Sequence, residues 1–94
     1  MVVQKAQVYA EDMTDEAMNE ALKVGEEALK EFSSDPAEKQ FTTIAKFIRS
    51  HFDKRHGRGW NVVVGRSFGA FVTHEIKTYC YFAVGGLNIL LWRA

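Results

Sequence analysis

One change of rhythm constrains this chain more than any other feature. Up to Gly57-Arg58-Gly59 the apolar residues recur every three or four positions; beyond it they alternate or run as β-branched strings. A period near 3.6 lines up one stripe of a helix, and a period of 2 lines up one face of a sheet. Helices are therefore expected in the first half and strands in the second. Elements segregated in this way mean an α+β domain whose strands form an antiparallel meander, not an alternating α/β fold.

The helical half splits in two. Met18, Ala21, Leu22, Gly25, Ala28, Leu29 and Phe32 make one apolar stripe, which predicts a helix over 14–32. Thr14 suits the N-cap, and Asp15 and Glu16 suit the positive end of the helix dipole. The small residues Ala21, Gly25 and Ala28 predict close approach to a second helix or to a sheet. Ser33-Ser34-Asp35-Pro36 breaks the pattern. Asp35 is then expected to cap a second helix, with Pro36 in its first position and Glu38 completing a capping box. That helix runs to about Arg55 on a stripe of Phe41, Ile44, Ala45, Ile48 and Phe52.

The second half predicts strands at Trp60–Gly65, Ala70–Glu75, Tyr79–Val84 and Leu87–Trp92. Gly85-Gly86 marks a two-residue hairpin between the last two. Gln4–Tyr9 reads as a short edge strand. The expected order is β-α-α-β-β-β-β in one domain over residues 1–94, with no repeat and no linker.

At 94 residues the chain buries only roughly 60–65% of its unfolded surface, a thin margin for stability. A single cysteine excludes an internal disulfide framework and a cysteine-based zinc site. No apolar run approaches the roughly 18 residues of a membrane span, and the opening residues lack the apolar stretch of a signal peptide. The expectation is a cytosolic, reduced protein. The net charge of zero conceals a division: residues 1–40 carry ten acids and four bases, residues 41–94 two acids and eight bases. Six of those bases lie between Lys46 and Arg66. Lys54 and Arg55 are accounted for at a helix C-terminus, and the acidic half weakens any polyanion field, so no nucleic-acid partner is expected.

No catalytic site assembles. Gly65-Arg66-Ser67-Phe68-Gly69 matches the G-x-S-x-G elbow of hydrolases, but that elbow needs a helix after it, and residues 70–75 alternate like a strand. His51 and His56 are five apart, not the four of a helical metal pair, and read as surface histidines. His74 and Glu75 point to opposite faces of a strand. Cys80 reads as a small buried hydrophobe. No catalytic residue, metal or cofactor is expected. What remains unexplained is a surplus of aromatic strand residues: Phe71, Tyr79, Tyr81, Phe82 and Trp92. Burial by another chain, or an edge that receives a peptide, would account for them.

The stretch from Trp60 to Glu75, W-N-V-V-V-G-R-S-F-G-A-F-V-T-H-E, closely resembles the hallmark segment of the dynein light chain family, eight-kilodalton type. Asp12-Met13-Thr14, Phe52-Asp53-Lys54-Arg55, Tyr81-Phe82 and Ile89-Leu90-Leu91-Trp92 match further parts of that family's pattern. The resemblance implies a strand-exchanged homodimer. It places Asn61, Val63, Gly65, Phe68 and Phe71 at the dimer interface. It gives the partner peptide an edge at Phe68–Glu75, with Phe68, Ala70, Phe71, Val72, Thr73, His74, Glu75 and Tyr81 as binding residues. It implies a non-catalytic light chain of a dynein motor on microtubules. Such a chain holds two dynein intermediate chains, or other partners, together by edge-strand pairing in the cytoplasm, or in an axoneme. A dynein-independent dimerisation hub is the alternative. The sequence departs from the family in four places. Asn61 stands for a histidine, Ala70 for a serine, and the penultimate serine is absent. About six extra residues fall between Phe32 and Ile44. In the family the start of the second helix caps a glutamine of the bound peptide, so the extra residues are expected to change partner choice.

Overall fold

The computed structural model describes residues 6–69, 74 and 76–93. Its elements are β1 (Ala6–Asp12), α1 (Asp15–Phe32), α2 (Ala37–His56), β2 (Trp60–Gly65), β3 (Tyr79–Val84) and β4 (Leu87–Arg93). The strands form one antiparallel sheet in the order β1-β3-β4-β2. The two helices pack on one face of it. This is the expected α+β class, but the sheet is not the expected meander: β4 pairs with β2 as well as with its sequence neighbour β3. The strand expected at Ala70–Glu75 falls outside the described residues, apart from His74.

Helix α1 starts where the sequence predicts. The Thr14 hydroxyl accepts from the Ala17 N–H at 3.2 Å, with Asp15 and Glu16 in the first turn. Its buried side is Met18, Ala21, Val24, Gly25 and Ala28. The small residues let the helix settle onto the sheet: a Cβ at Gly25 would stand 2.9 Å from Phe82 Cε2 on β3.

Helix α2 begins one residue later than expected and without the expected cap. Its N-cap is Pro36, and no side chain caps it. The Asp35 N–H instead donates to the Phe32 carbonyl at 3.1 Å, which commits Asp35 to the turn that ends α1. The Pro36 carbonyl accepts from Lys39 and Gln40, and the Gln40 side-chain amide also donates to the Phe32 carbonyl at 3.1 Å. Asp35 and Gln40 thus both serve the C-terminus of α1, whose last carbonyls need partners. Phe41 and Thr42 lie inside α2.

Ile44, Ile48 and Phe52 bury the inner side of α2, against Trp60, Val62 and Val64 of β2. Gly57 and Gly59 take positive φ of 85° and 106°, which lets the chain turn sharply into β2. Asp53 holds that turn by accepting from the Trp60 N–H at 3.2 Å. Phe52 meets Trp60 ring to ring at 5.0 Å. The hairpin forms at Gly85-Gly86, both with φ > 0, as a primed turn requires. The edge strand expected at Gln4–Tyr9 is present among the described residues from Ala6 and extends past Tyr9. It runs to Asp12, with an irregularity in its β3 pairing between Val8 and Ala10.

Candidate functional site

Alternation divides each strand between two faces. Cys80, Phe82 and Val84 of β3, and Leu87, Ile89 and Leu91 of β4, join the core beneath the helices. Tyr79, Tyr81, Leu90 and Trp92 therefore point to the opposite face. Register places them in rows across the sheet: Val63, Leu90 and Tyr81 in one, and Asn61, Trp92 and Tyr79 in the next. Tyr81 stands between two rings, Tyr9 at 5.1 Å and Phe68 at 5.7 Å. Phe68 also lies over Gly65, where a Cβ would meet its ring at 3.4 Å. Leu90 is only 2% exposed in this row, while Val63 at its edge is 37% exposed and Tyr9 50%. The face beyond the helices is thus apolar and aromatic.

That face ends at an open strand. Among the described residues β2 pairs with β4 on one side and with nothing on the other. Its residues Trp60–Gly65 include no charge, no proline and no bulge. Those are the devices that ordinarily protect an edge from pairing with another chain. Asn61, exposed on this strand, turns its amide to the Gly59 carbonyl at 3.3 Å.

Of the residues that sequence reasoning assigns, the structure brings Gly65, Phe68 and Tyr81 together, with Val63 in the same register row. His74 sits apart, stacked on Tyr79 at 4.8 Å and 3.9 Å from an Asp12 carboxylate oxygen. Asp12 also accepts from the Lys77 N–H at 3.0 Å and meets its ammonium at 3.6 Å. It thereby anchors the chain as it returns to β3 through Lys77, whose φ is 64°. Ala70, Phe71, Val72, Thr73 and Glu75 lie outside the described residues. Sequence reasoning missed Tyr9, Asp12 and Leu90. For Leu90 the signal was available: Leu90 and Trp92 alternate with core residues of β4.

A second cluster lies at the end of α2. His51 and His56 are at the surface, as expected, but they share a partner. Both turn their Nε2 onto Glu20 of α1, at 2.5 Å and 2.9 Å from its two carboxylate oxygens. Arg55 approaches the same carboxylate at 4.0 Å. Burial pushes the Glu20 carboxyl up, but the hydrogen bonds and charges of His56 and His51 together hold it below its usual value of 4.5. The cluster ties α1 to α2. Among the described residues no group of three His, Cys, Asp or Glu side chains is arranged to hold a metal ion, and no helix is long and apolar enough to cross a membrane. Ser67 of the elbow-like motif lies exposed in a bend after β2. Cys80 is fully buried, and burial together with the Glu11 charge pushes its thiol up to about 12.

Two helices on one face of an antiparallel sheet, with an aromatic outer face and an open edge, define a small α+β domain. The chain belongs to the dynein light chain family: the family's sequence model, dynein light chain type 1, matches residues 5–94. It is 41% identical over 86 residues to the cytoplasmic dynein light chain 1 of Candida glabrata, covering 92% of this chain and 93% of that one. It is also 41% identical over 87 residues to the cytoplasmic dynein light chain of Emericella nidulans, covering 93% and 86%. Its fold matches the dynein light chain-like domain of the Fasciola hepatica calcium binding protein FhCaBP2, with a TM-score of 0.83. That match covers 97% of this chain and 92% of the other at 19% identity.

Proposed function

We propose that this chain is a non-catalytic light chain of a cytoplasmic dynein motor. It works as a homodimer that holds two partner chains side by side. The observation that carries this reading is the conjunction of an aromatic outer sheet face with the open β2 edge. An uncharged edge beside exposed Val63 is a liability in a lone chain. It becomes an asset once a strand from a second copy pairs with it. The segment Phe68–Glu75 is that strand in our reading. Its other edge then offers Val72, Thr73 and His74 to an extended segment of a partner such as the dynein intermediate chain. Two such sites per dimer raise the effective concentration of a second tethered partner without any new contact.

The early start of α2 at Ala37 bears on which segments fit. Phe41 and Thr42 lie inside the helix, so their N–H groups are committed to its ladder and not offered to a ligand. A glutamine-centred peptide of the kind family members bind should therefore lose at least about tenfold in affinity against a close relative measured alongside.

Sedimentation equilibrium and peptide calorimetry on the wild type and on Val72→Pro test the proposal. The wild type should sediment as a dimer. The variant, which removes a donor from the pairing edge, should lose peptide binding alone or together with the dimer. A folded variant dimer with unchanged affinity would exclude this edge as the site.

A further inference from the structure

The surface of α2 turned away from β2 carries a groove that the proposed light-chain role does not use. It holds about 480 Å³. Phe32, from the end of α1, and Phe47 form its apolar lining, their rings edge to face at 5.7 Å. Thr43 and Ser50 add hydroxyls, and Lys46 and Lys54 stand at its rim. His51, whose Nε2 meets the Glu20 carboxylate, completes the lining, and no carboxylate belongs to the lining residues themselves. Neither lysine forms an ion pair among the described residues, where Arg49 is tied to Asp53 at 3.6 Å and Arg55 approaches Glu20. A cleft of about 500 Å³ adjoins it, sharing Ser50 and Lys54 and adding the exposed Arg58 beside the Arg49–Asp53 pair.

We infer that this groove binds a short acidic segment of a partner chain that carries one bulky apolar side chain between its carboxylates. The apolar residue covers the Phe32 and Phe47 rings, and the carboxylates meet Lys46 and Lys54, with Arg58 within reach of a longer segment. Charge complementarity selects the sign of the ligand, and the phenyl lining selects its middle.

Two other anions fit less well. The acidic α1 of a second copy supplies charge but nothing to fill the groove. The exposed large apolar side chains among the described residues are Val8, Tyr9, Val63 and Ile76, and none lies on α1. A long polyanion would run onto α1 itself, where Glu16, Glu20 and Glu27 line the neighbouring surface. A compact ligand with an apolar centre avoids both problems.

The probe is a fluorescein-labelled twelve-residue peptide with a central phenylalanine and two glutamates on each side, followed by anisotropy in 50 mM and 300 mM salt. Binding is expected at low salt and should weaken at high salt, since the charges are exposed. Lys46→Glu/Lys54→Glu, with its helical circular dichroism intact, should bind at least about tenfold more weakly. Replacing the peptide's phenylalanine by serine should cost roughly fivefold or more, in line with one partly buried aromatic ring. Amide shifts in the NMR spectrum should cluster at Thr43, Phe47 and Ser50.

The inference is overturned by no binding at 1 mM peptide, or by equal affinity in the folded double variant. It is overturned equally if the serine peptide or poly-glutamate binds as tightly, or if the shifts cluster at Phe68 and Tyr81. Assemblies larger than a dimer in sedimentation of the protein alone, abolished by the double variant, would assign the groove to a second copy and also overturn it. A failure of Val72→Pro to affect the strand edge would leave all of these readouts unchanged, so the two proposals fail separately.

Discussion

Replacing Gly25 by alanine sets local preference against packing. In an isolated helix the change stabilises, because alanine exceeds glycine by about 1 kcal/mol in a helix interior. In this fold the new Cβ would stand 2.9 Å from Phe82 Cε2, and 3.4 Å from both Phe82 Cζ and Val84 Cγ2. A comfortable carbon–carbon contact is about 3.5–4.0 Å, so helix and ring must part by half an ångström or more. Neither can do so freely. Phe82 and Val84 are both 0% exposed, within a core that also holds Ala21 and Ala28 of the same helix. Overpacking of this kind costs roughly 1–3 kcal/mol. Set against the propensity gain, the net effect is a loss of about 1 kcal/mol, or roughly 4–8 °C in Tm for a domain of this size. Urea unfolding at one fixed protein concentration measures it. A second variant, Gly25→Ala with Phe82→Leu, should be more stable than the two single effects predict, because the smaller side chain removes the clash. Gly25→Ala more stable than the wild type would refute the reasoning and show that α1 does not press on β3.

Three further outcomes follow from named contacts. Glu20→Gln should lower stability near neutral pH by about 1 kcal/mol, the worth of charge-assisted bonds at a partly exposed site. Since the folded carboxyl lies below its unfolded value of 4.5, this contribution is present above that pH and is lost as pH falls through the lower folded value. Wild type and variant should therefore converge in acid, and a gap that persists there would contradict the assignment. Cys80, with its thiol pushed up to about 12, should resist a thiol reagent at pH 8 until urea is added; complete labelling of the native protein within seconds would contradict its burial. Arg93→Ala removes a donor to the His56 carbonyl at 2.6 Å and a cation placed 5.8 Å from the Trp60 ring. It should cost about 1 kcal/mol in urea unfolding, where an unchanged midpoint would show the clasp to be idle.

Whatever depends on neighbours along the chain was legible in the residues alone. The switch of period at Gly57-Arg58-Gly59 separates helices from strands. Thr14 caps α1 because its hydroxyl reaches an N–H three residues on. Gly85-Gly86 turns the hairpin because both positions need positive φ. The stretch from Trp60 to Glu75 was enough to point to the family. Tertiary structure decided whatever depends on which surfaces meet. Asp35 has the chemistry of a cap, but its backbone is committed to Phe32 and no side chain caps α2. His51 and His56 are about 140° apart around their own helix, so nothing local joins them. The carboxylate of Glu20 reaches both only because α1 packs beside α2. Gly25 reads as a weak helix residue until Phe82 is seen against it, and Leu90 reads as one more apolar strand residue until the register sets it between Val63 and Tyr81. Periods, caps and turns are short-range and written in adjacent residues. Docking distances and shared partners arise from contacts between residues far apart in the chain, which no local pattern encodes.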